Sequence, residues 1–262
     1  MLFTDQCGRT IDIVIPPRRI ISLVPSQTEL LYDLGLREEV CGITKFCVHP
    51  EEWYRSKTRV GGTKDVKTEL IDQLRPDLII ANKEENVKEQ IDSLSGKWPV
   101  WVSDVNNLEE ALSMIRDIGN MTERTSAASQ LISKISTAFQ QLPPVRKKTR
   151  TAYLIWKDPY MTVGADTFIH SMLEKAGFEN MYSDKTRYPE ITLEELKAAE
   201  CELLLLSSEP YPFRQKHIEE LKVALPGVQL LLADGEMFSW YGSHLLQAPD
   251  YFKKLYIECL NT

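Results

Sequence analysis

Thr122–Leu142, TERTSAASQLISKISTAFQQL, is the stretch on which the reading of this chain turns. Ala127, Leu131, Ile135, Ala138, Phe139 and Leu142 recur at three- and four-residue steps and line one face of a helix. Asn120 is placed to cap its start, with Glu123 three residues on completing a capping box, and Pro143-Pro144 stop it. At roughly 1.5 Å per residue such a helix makes a rod of about 30 Å. Neither glycine nor proline interrupts it. On either side lies an α/β pattern, so residues 1–120 are expected to form one lobe, 121–142 a connecting helix and 143–262 a second lobe.

In the first half, the continuous apolar run Ile20–Val24 predicts a strand buried on both faces. Pro25 and then Ser26–Glu29, spaced as a capping box, predict a helix reaching Gly35. Further strands are expected at Val40–Thr44, Leu78–Ala81 and Val100–Val102. Helices are expected at Thr68–Leu74, Asn86–Leu94 and Asn107–Ile118, the last ending at Gly119. After the double proline the alternation restarts, with strands at Ala152–Trp156, Leu203–Ser207 and Val228–Ala233, a helix over Phe168–Ala176 and a capping box at Thr192–Glu195. Strands alternating with helices mean parallel sheets covered on both faces. The halves also echo each other. TELIDQLRPDLII and LEELKAAECELLLL superpose 125 positions apart, with Glu69 on Glu194, Ile71 on Leu196, Asp77 on Glu202 and Leu78 on Leu203.

The 262 residues suffice for two cores, and 43% hydrophobic with 26% charged residues is ordinary globular composition. A net charge of −7 argues against nucleic acid as a partner, because phosphate affinity comes from lysine and arginine. The one basic run, Arg146–Arg150, reads as a solvated linker. With no apolar run of about 18 residues, no membrane insertion is expected. The opening MLFTDQCGRTIDI has neither the basic nor the apolar part of a secretory signal, so the chain as written is expected in the cytoplasm. Five scattered cysteines without a C-x-x-C pair suggest neither a disulfide framework nor structural zinc.

In parallel sheets, ligands bind beyond the carboxyl ends of the strands. The predicted loops there are rich in rings: Phe46, His49, Trp53 and Tyr54 beside a Gly61-Gly62-Thr63 turn in the first half, and Trp156, Tyr160, Tyr188, Tyr211, Phe213, Phe238, Trp240 and Tyr241 in the second. Aromatic rims suit a large, flat, partly apolar ligand. No P-loop, G-x-G-x-x-G or G-x-S-x-G spacing is present, so no enzymatic machinery is expected. Of the four histidines, His170 and His217 fall inside predicted helices. His49 and His244 fall in ring-bearing loops, where either could ligate the metal of a corrin or haem.

Arg19–Gly35 (RIISLVPSQTELLYDLG), Gly61–Ala81 (GGTKDVKTELIDQLRPDLIIA) and Thr162–Tyr182 (TVGADTFIHSMLEKAGFENMY) resemble the substrate-binding proteins of ABC importers for cobalamin, haem and ferric siderophores, the helical-backbone metal receptors, and most of all the vitamin B12-binding branch. The resemblance runs from about Thr4 to Leu260. It implies two Rossmann-like α/β lobes with parallel sheets bridged by one long rigid α-helix, a monomer without intrinsic cofactor, and a corrinoid, haem or ferric siderophore held between the lobes. Candidate ligand residues are Ser26, Phe46, His49, Gly62, Thr63, Trp156, Tyr160, Arg187, Tyr188, Tyr211, Phe238, Trp240 and Tyr241, with His49 the candidate metal ligand and Arg187 suited to a siderophore. The resemblance further implies that Glu69 and Glu194 dock the two lobes on the permease dimer of an importer. Members of this group work in the periplasm or at the cell surface. A chain kept in the cytoplasm would instead be an enzyme or chaperone handling a corrinoid or haem, or a ligand sensor.

Overall fold

The computed structural model describes residues 1–145 and 148–261; Arg146 and Lys147 of the basic run lie outside the described residues. The chain divides into two compact units, one of Met1–Val105, Glu109–Ile135 and Tyr241–His244, the other of Asn106–Leu108, Ser136–Trp240 and Leu245 onward.

The first unit opens with a hairpin of β1 (Leu2–Thr4) and β2 (Thr10–Asp12), too short for sequence periodicity to announce. The carboxylate of Asp5 ties it down, accepting from the backbone N–H groups of Cys7, Arg9 and Val102 and pairing with Arg9 Nε at 2.8 Å. Then follow β3 (Ile20–Ser22), α1 (Pro25–Asp33), β4 (Val40–Ile43), α2 (Glu51–Ser56), β5 (Thr58–Arg59), α3 (Thr68–Leu74), β6 (Leu78–Asn82), α4 (Lys88–Ser95) and β7 (Val100–Ser103). The five later strands form one parallel sheet in the order β5-β4-β3-β6-β7. Every residue of β3, β6 and β7 is buried, as continuous apolar runs require. Two expectations are corrected here. The FCVHPEEWYRS segment holds α2 and is not all loop, because Trp53 is buried and its turn wraps onto that ring. Helix α1 has no side-chain cap: Val24 is its N-cap and Pro25 its first residue, so Ser26 is already inside the helix.

Two helices follow, α5 (Leu108–Met121) and α6 (Thr125–Gln140). The expected cap by Asn120 and Glu123 is overturned, because Asn120 is still inside α5. The chain turns at Thr122–Arg124 with Glu123 left-handed at φ 55, and Arg124 N–H donates to Gly119 O at 2.7 Å. Gly119 does not end its helix either. A Cβ there would sit 2.4 Å from Ala128 Cβ, so the glycine lets α5 and α6 close on each other. Of the expected apolar stripe, Leu131, Ile135 and Phe139 are buried, while Ala127, Ala138 and Leu142 are half-buried; Ala128, not Ala127, is the buried alanine. No helix among the described residues is long and apolar enough to cross a membrane.

The second unit holds β8 (Thr149–Leu154), β9 (Tyr160–Met161), α7 (Phe168–Lys175), β10 (Phe178–Asn180), β11 (Glu190–Ile191), α8 (Leu193–Ala198), β12 (Leu203–Ser207), α9 (Gln215–Ala224), β13 (Gln229–Ala233), α10 (Gly235–Ser239) and α11 (Ala248–Asn261); of a 3-10 turn at Ser243–Leu246, the first two residues belong to the first unit. Its parallel sheet runs β10-β8-β12-β13, the order of β4-β3-β6-β7 in the first unit.

The echo between the halves reaches individual hydrogen bonds. Arg75 and Glu200, 125 positions apart, are both left-handed, at φ 46 and 53, and end the corresponding helices α3 and α8. Asp77 accepts from the N–H groups of Arg18 and Arg19 as Glu202 accepts from that of Arg150. Arg19 Nε donates to Leu74 O as Arg150 Nη2 donates to Ala199 O. Glu69 and Glu194 are each the second residue of their helix and each exposed. The box at Thr192 is present with both bonds, Glu195 N–H to Thr192 Oγ1 at 3.1 Å and Thr192 N–H to Glu195 Oε2 at 2.6 Å. Thr192→Ala is expected to lower stability by about 1 kcal/mol, read as a shift in urea midpoint. An unchanged midpoint would mean that the cap is idle.

Candidate ligand-binding site

At the carboxyl edge of the first sheet, the backbone is held by buried amides that the sequence did not single out. Asn86 Nδ2 donates to Leu23 O at 3.3 Å and Thr63 O at 3.0 Å, and Asn86 Oδ1 accepts from Asn82 N–H at 2.8 Å. Asn82 Oδ1 in turn accepts from the N–H groups of Glu84 and Glu85. One side chain thus joins the ends of β3 and β6 to the Gly61–Asp65 loop. Such doubly satisfied buried amides fix loops, since losing one partner strands the others. On this support Phe46 lies half exposed, with Lys45 Nζ 5.1 Å from its ring centre. Gly62 lies beneath: a Cβ would come 3.2 Å from Phe46 Cε2 and 3.3 Å from Lys45 Cε. Thr63 is partly buried and His49 exposed at the approach to α2. Among the described residues no group of three or more His, Cys, Asp or Glu is arranged to hold a metal ion.

Three expected ring positions are corrected. Tyr241 is 5% exposed, its hydroxyl donating to Glu85 Oε1 at 2.9 Å. Burial, with the Glu85 and Glu84 carboxylates, pushes its phenol well above the ordinary range. It is packed near Ser26, itself buried, with Gly242 approaching Ser26 O at a distance where a Cβ would stand 3.1 Å away. Trp240 is 7% exposed and donates from Nε1 to Glu209 Oε1, which also accepts from Ser239 Oγ. Phe238 is fully buried, 4.9 Å from the Phe252 ring and 5.1 Å from that of Tyr153. These rings close the core beneath their loop and are not a rim. His244, also buried, sets Nδ1 3.0 Å from Glu29 Oε2 and anchors its segment to α1.

At the carboxyl edge of the second sheet Phe213 is likewise buried, while Trp156 is exposed and Tyr160, Tyr188 and Tyr211 are half-buried. Trp156, 40% exposed, meets Tyr211 edge-on at 5.7 Å and 71°. Tyr211 stacks at a tilt on Phe213 at 4.7 Å. Tyr160 stands on β9, which pairs antiparallel with β11, and burial raises its phenol pKa. Thr162 N–H donates to Pro189 O and Gly164 N–H to Arg187 O, so Arg187 and Tyr188 are held alongside β9. The Arg187 guanidinium lies 5.7 Å from the Tyr188 ring and 4.0 Å from Asp166. A Cβ on Gly164 would come 2.6 Å from Lys185 O, which is why this approach needs glycine. Trp156 and Tyr211 thus follow β8 and β12 of the four-stranded sheet, and Tyr160 and Tyr188 stand on and beside the small β9–β11 ribbon that follows β8. The grooves of about 390 and 530 Å³ within the units lie at the amino ends of strands and involve none of these residues.

Two parallel sheets of like strand order, with rings at their carboxyl edges, can be compared with known families. The family described as periplasmic binding protein matches residues 20–232. The chain belongs to that family. It is similar to an ABC transporter substrate-binding lipoprotein of Bacillus subtilis (strain 168), 27% identical over 200 residues covering 72% of this chain and 63% of the relative. It therefore spans a little under two thirds of that relative's length. A vitamin B12-binding protein of Vibrio campbellii is 25% identical over 197 residues, covering 73% and 71%. Among solved structures, a periplasmic haem-binding protein in complex with two haems superposes with a TM-score of 0.80 at 20% identity, covering 92% of this chain and 98% of that one. The fold of the chain is thus the mixed α/β, two-lobed fold of such binding proteins, as the resemblance implied.

Proposed function

We propose that the chain is the substrate-binding component of an ABC importer, and that its cargo is a metal-bearing macrocycle, a corrinoid or haem. The observation that carries this reading is the group of rings Trp156, Tyr160, Tyr188 and Tyr211 beyond the carboxyl edge of the second sheet. Rings so placed offer stacking worth about 0.5–1.5 kcal/mol per pair beyond area burial, which a planar, partly apolar macrocycle can use. The relatives' names support it, being those of vitamin B12-, haem- and lipoprotein-type binding proteins. Arg187, beside Asp166 and Tyr188, offers a guanidinium to an anionic group of a ligand. Glu69 and Glu194, exposed at matched positions of α3 and α8, would offer one carboxylate per unit to basic pockets of a permease dimer.

Titration of cyanocobalamin, cobinamide, haem and a ferric hydroxamate against tryptophan fluorescence tests this, with Trp156 as the reporting ring. Quenching with micromolar or tighter affinity is expected for a corrinoid or haem. Absence of binding to all four would overturn the reading, and preference for the hydroxamate would redirect it.

A further inference from the structure

His217 stands outside the ring edge just described, yet its geometry bears on it. It is the third residue of α9 and 4% exposed. Its Nδ1 lies 2.9 Å from Arg214 N–H, a group that can only donate, so Nδ1 is an unprotonated acceptor. The neutral ring therefore carries its hydrogen on Nε2, and Nε2 is 3.4 Å from Tyr211 Oη. With the phenol oxygen accepting there, the hydroxyl hydrogen of Tyr211 is directed elsewhere and left to donate. Phe213 locks the imidazole edge-on at 5.5 Å and 83°. The loop bearing Tyr211 is also fastened by Tyr211 N–H to Ile155 O, and Lys157 Nζ, in the turn after β8, pairs with Glu220 Oε2 of α9 at 2.6 Å.

We propose that His217 is the positioning residue of the ligand edge: through its Nε2–H it orients the Tyr211 hydroxyl as a hydrogen-bond donor toward an acceptor on the ligand, such as an amide carbonyl or carboxylate at the macrocycle's periphery. This rests on the reading above, in which ligand meets the Trp156–Tyr211 edge. The arrangement also makes the site sensitive to pH. Protonation would turn Nδ1 into a second donor facing Arg214 N–H, breaking the cap and releasing the loop. The charged groups around the ring are Lys157 and Lys216, which oppose the imidazolium, Glu220, which favours it, and Arg214 at the cap. Burial first, and the two lysines after it, hold the imidazole below its ordinary value. The unfolded chain, with an imidazole near pH 6.5, then binds the proton more readily than the native one. Stability contributed at this site is complete above that pH and is lost as pH falls below it through the lower pKa of the native ring.

Three substitutions separate the two jobs of the ring. In His217→Asn the side-chain oxygen can take the place of Nδ1 and keep the cap, but nothing reaches Tyr211. His217→Gln can place an amide N–H near Nε2 and loses the cap. Tyr211→Phe removes the hydroxyl. Affinity is read for whichever of cyanocobalamin, cobinamide or haem the wild-type protein binds most tightly. H217N and Y211F should each weaken it about three- to tenfold, the worth of one hydrogen bond, and the double variant no further. H217N should keep the wild-type melting temperature while H217Q lowers it. Wild-type affinity should hold at pH 7 and fall only as the pH drops below 6.5, and that of Y211F should stay nearly level. Nitrogen-15 NMR of the ligand-free protein should show His217 protonated at Nε2 and bare at Nδ1. A proton on Nδ1, or full affinity in H217N with wild-type binding intact, overturns the positioning role alone. A wild-type protein that binds none of the compounds overturns the importer reading and the ligand half of this one together, whatever the NMR shows.

Discussion

Phe238→Ala should lower the unfolding free energy by about 3–5 kcal/mol, the largest loss expected of any substitution among the ring-bearing loops. The ring is fully buried, with Tyr153, Tyr251 and Phe252 around it at centroid distances of 5.1, 6.2 and 4.9 Å. Deleting it removes the transfer free energy of a large apolar group and leaves a void that three other rings cannot fill without leaving their own contacts. Tyr153 is constrained further, since its hydroxyl is 3.0 Å from Ser207 Oγ and burial drives its phenol far above the ordinary range. Collapse into the void would have to break that bond. Trp156→Ala is the contrast. With 40% of its residue surface exposed and one edge contact to Tyr211, it should shift stability by less than about 1 kcal/mol while weakening macrocycle binding. Urea denaturation with unchanged m-value reads both. If Phe238→Ala cost as little as Trp156→Ala, the ring would belong to a rim after all.

That pair shows what the sequence could and could not convey about the site. EMFSWYGSHLL and the loops after β8 and β12 look alike as text, each a cluster of rings between two elements. Composition places rings near a sheet edge but does not say which way they point. Phe238 turns inward because Gly235–Ser239 winds into a helical turn, and Trp240 because Glu209 awaits its indole N–H. Trp156 stays out because β8 ends before it and the chain turns back through Tyr160 to Met161. The supports were invisible for a related reason. Asn86 and His217 act through atoms contributed by residues 63 and 6 positions away, at Leu23 O and Tyr211 Oη, and such partners exist only after folding.

The architecture was far more legible. Leu78–Asn82 and Leu203–Ser207 are buried throughout, so their apolar runs carry an unambiguous signal, and the matched segments before them repeat the same helix-to-strand turn. What escaped were elements of two or three residues, such as β1, β2, β5, β9 and β11, where no period can be counted. The α5–α6 junction departs from expectation for a different reason. Asn120 and Glu123 have the spacing of a capping box, and Gly119 just before them has the look of a helix end. Both local signals gave way to packing: the helix ran on to Met121 because its glycine was needed for a close approach.

Gly119→Ala therefore has an expected sign opposite to that of helix propensity. In an exposed helix interior the change would stabilise by about 1 kcal/mol. Here the new methyl would start 2.4 Å from Ala128 Cβ and 3.4 Å from Arg124 O. Neither obstacle can rotate away, because one is a Cβ fixed to its backbone and the other a main-chain carbonyl. The two helices must move apart, loosening Ile115, Ile118 and Met121, all fully buried. Overpacking of this kind costs typically 1–3 kcal/mol, enough to cancel the propensity gain and leave the protein destabilised. The decisive measurement is the double substitution. Ala128→Gly alone should destabilise, by losing a buried methyl and adding a helical glycine. Joined to Gly119→Ala it should restore stability to near the wild-type level, since the pair exchanges which helix carries the methyl. Rescue would show non-additivity between residues nine apart in sequence and in contact across the turn. Simple addition of the two losses would mean that the close approach at Gly119 does not hold α5 against α6, and that the start of the long helix is set by the turn at Glu123 instead.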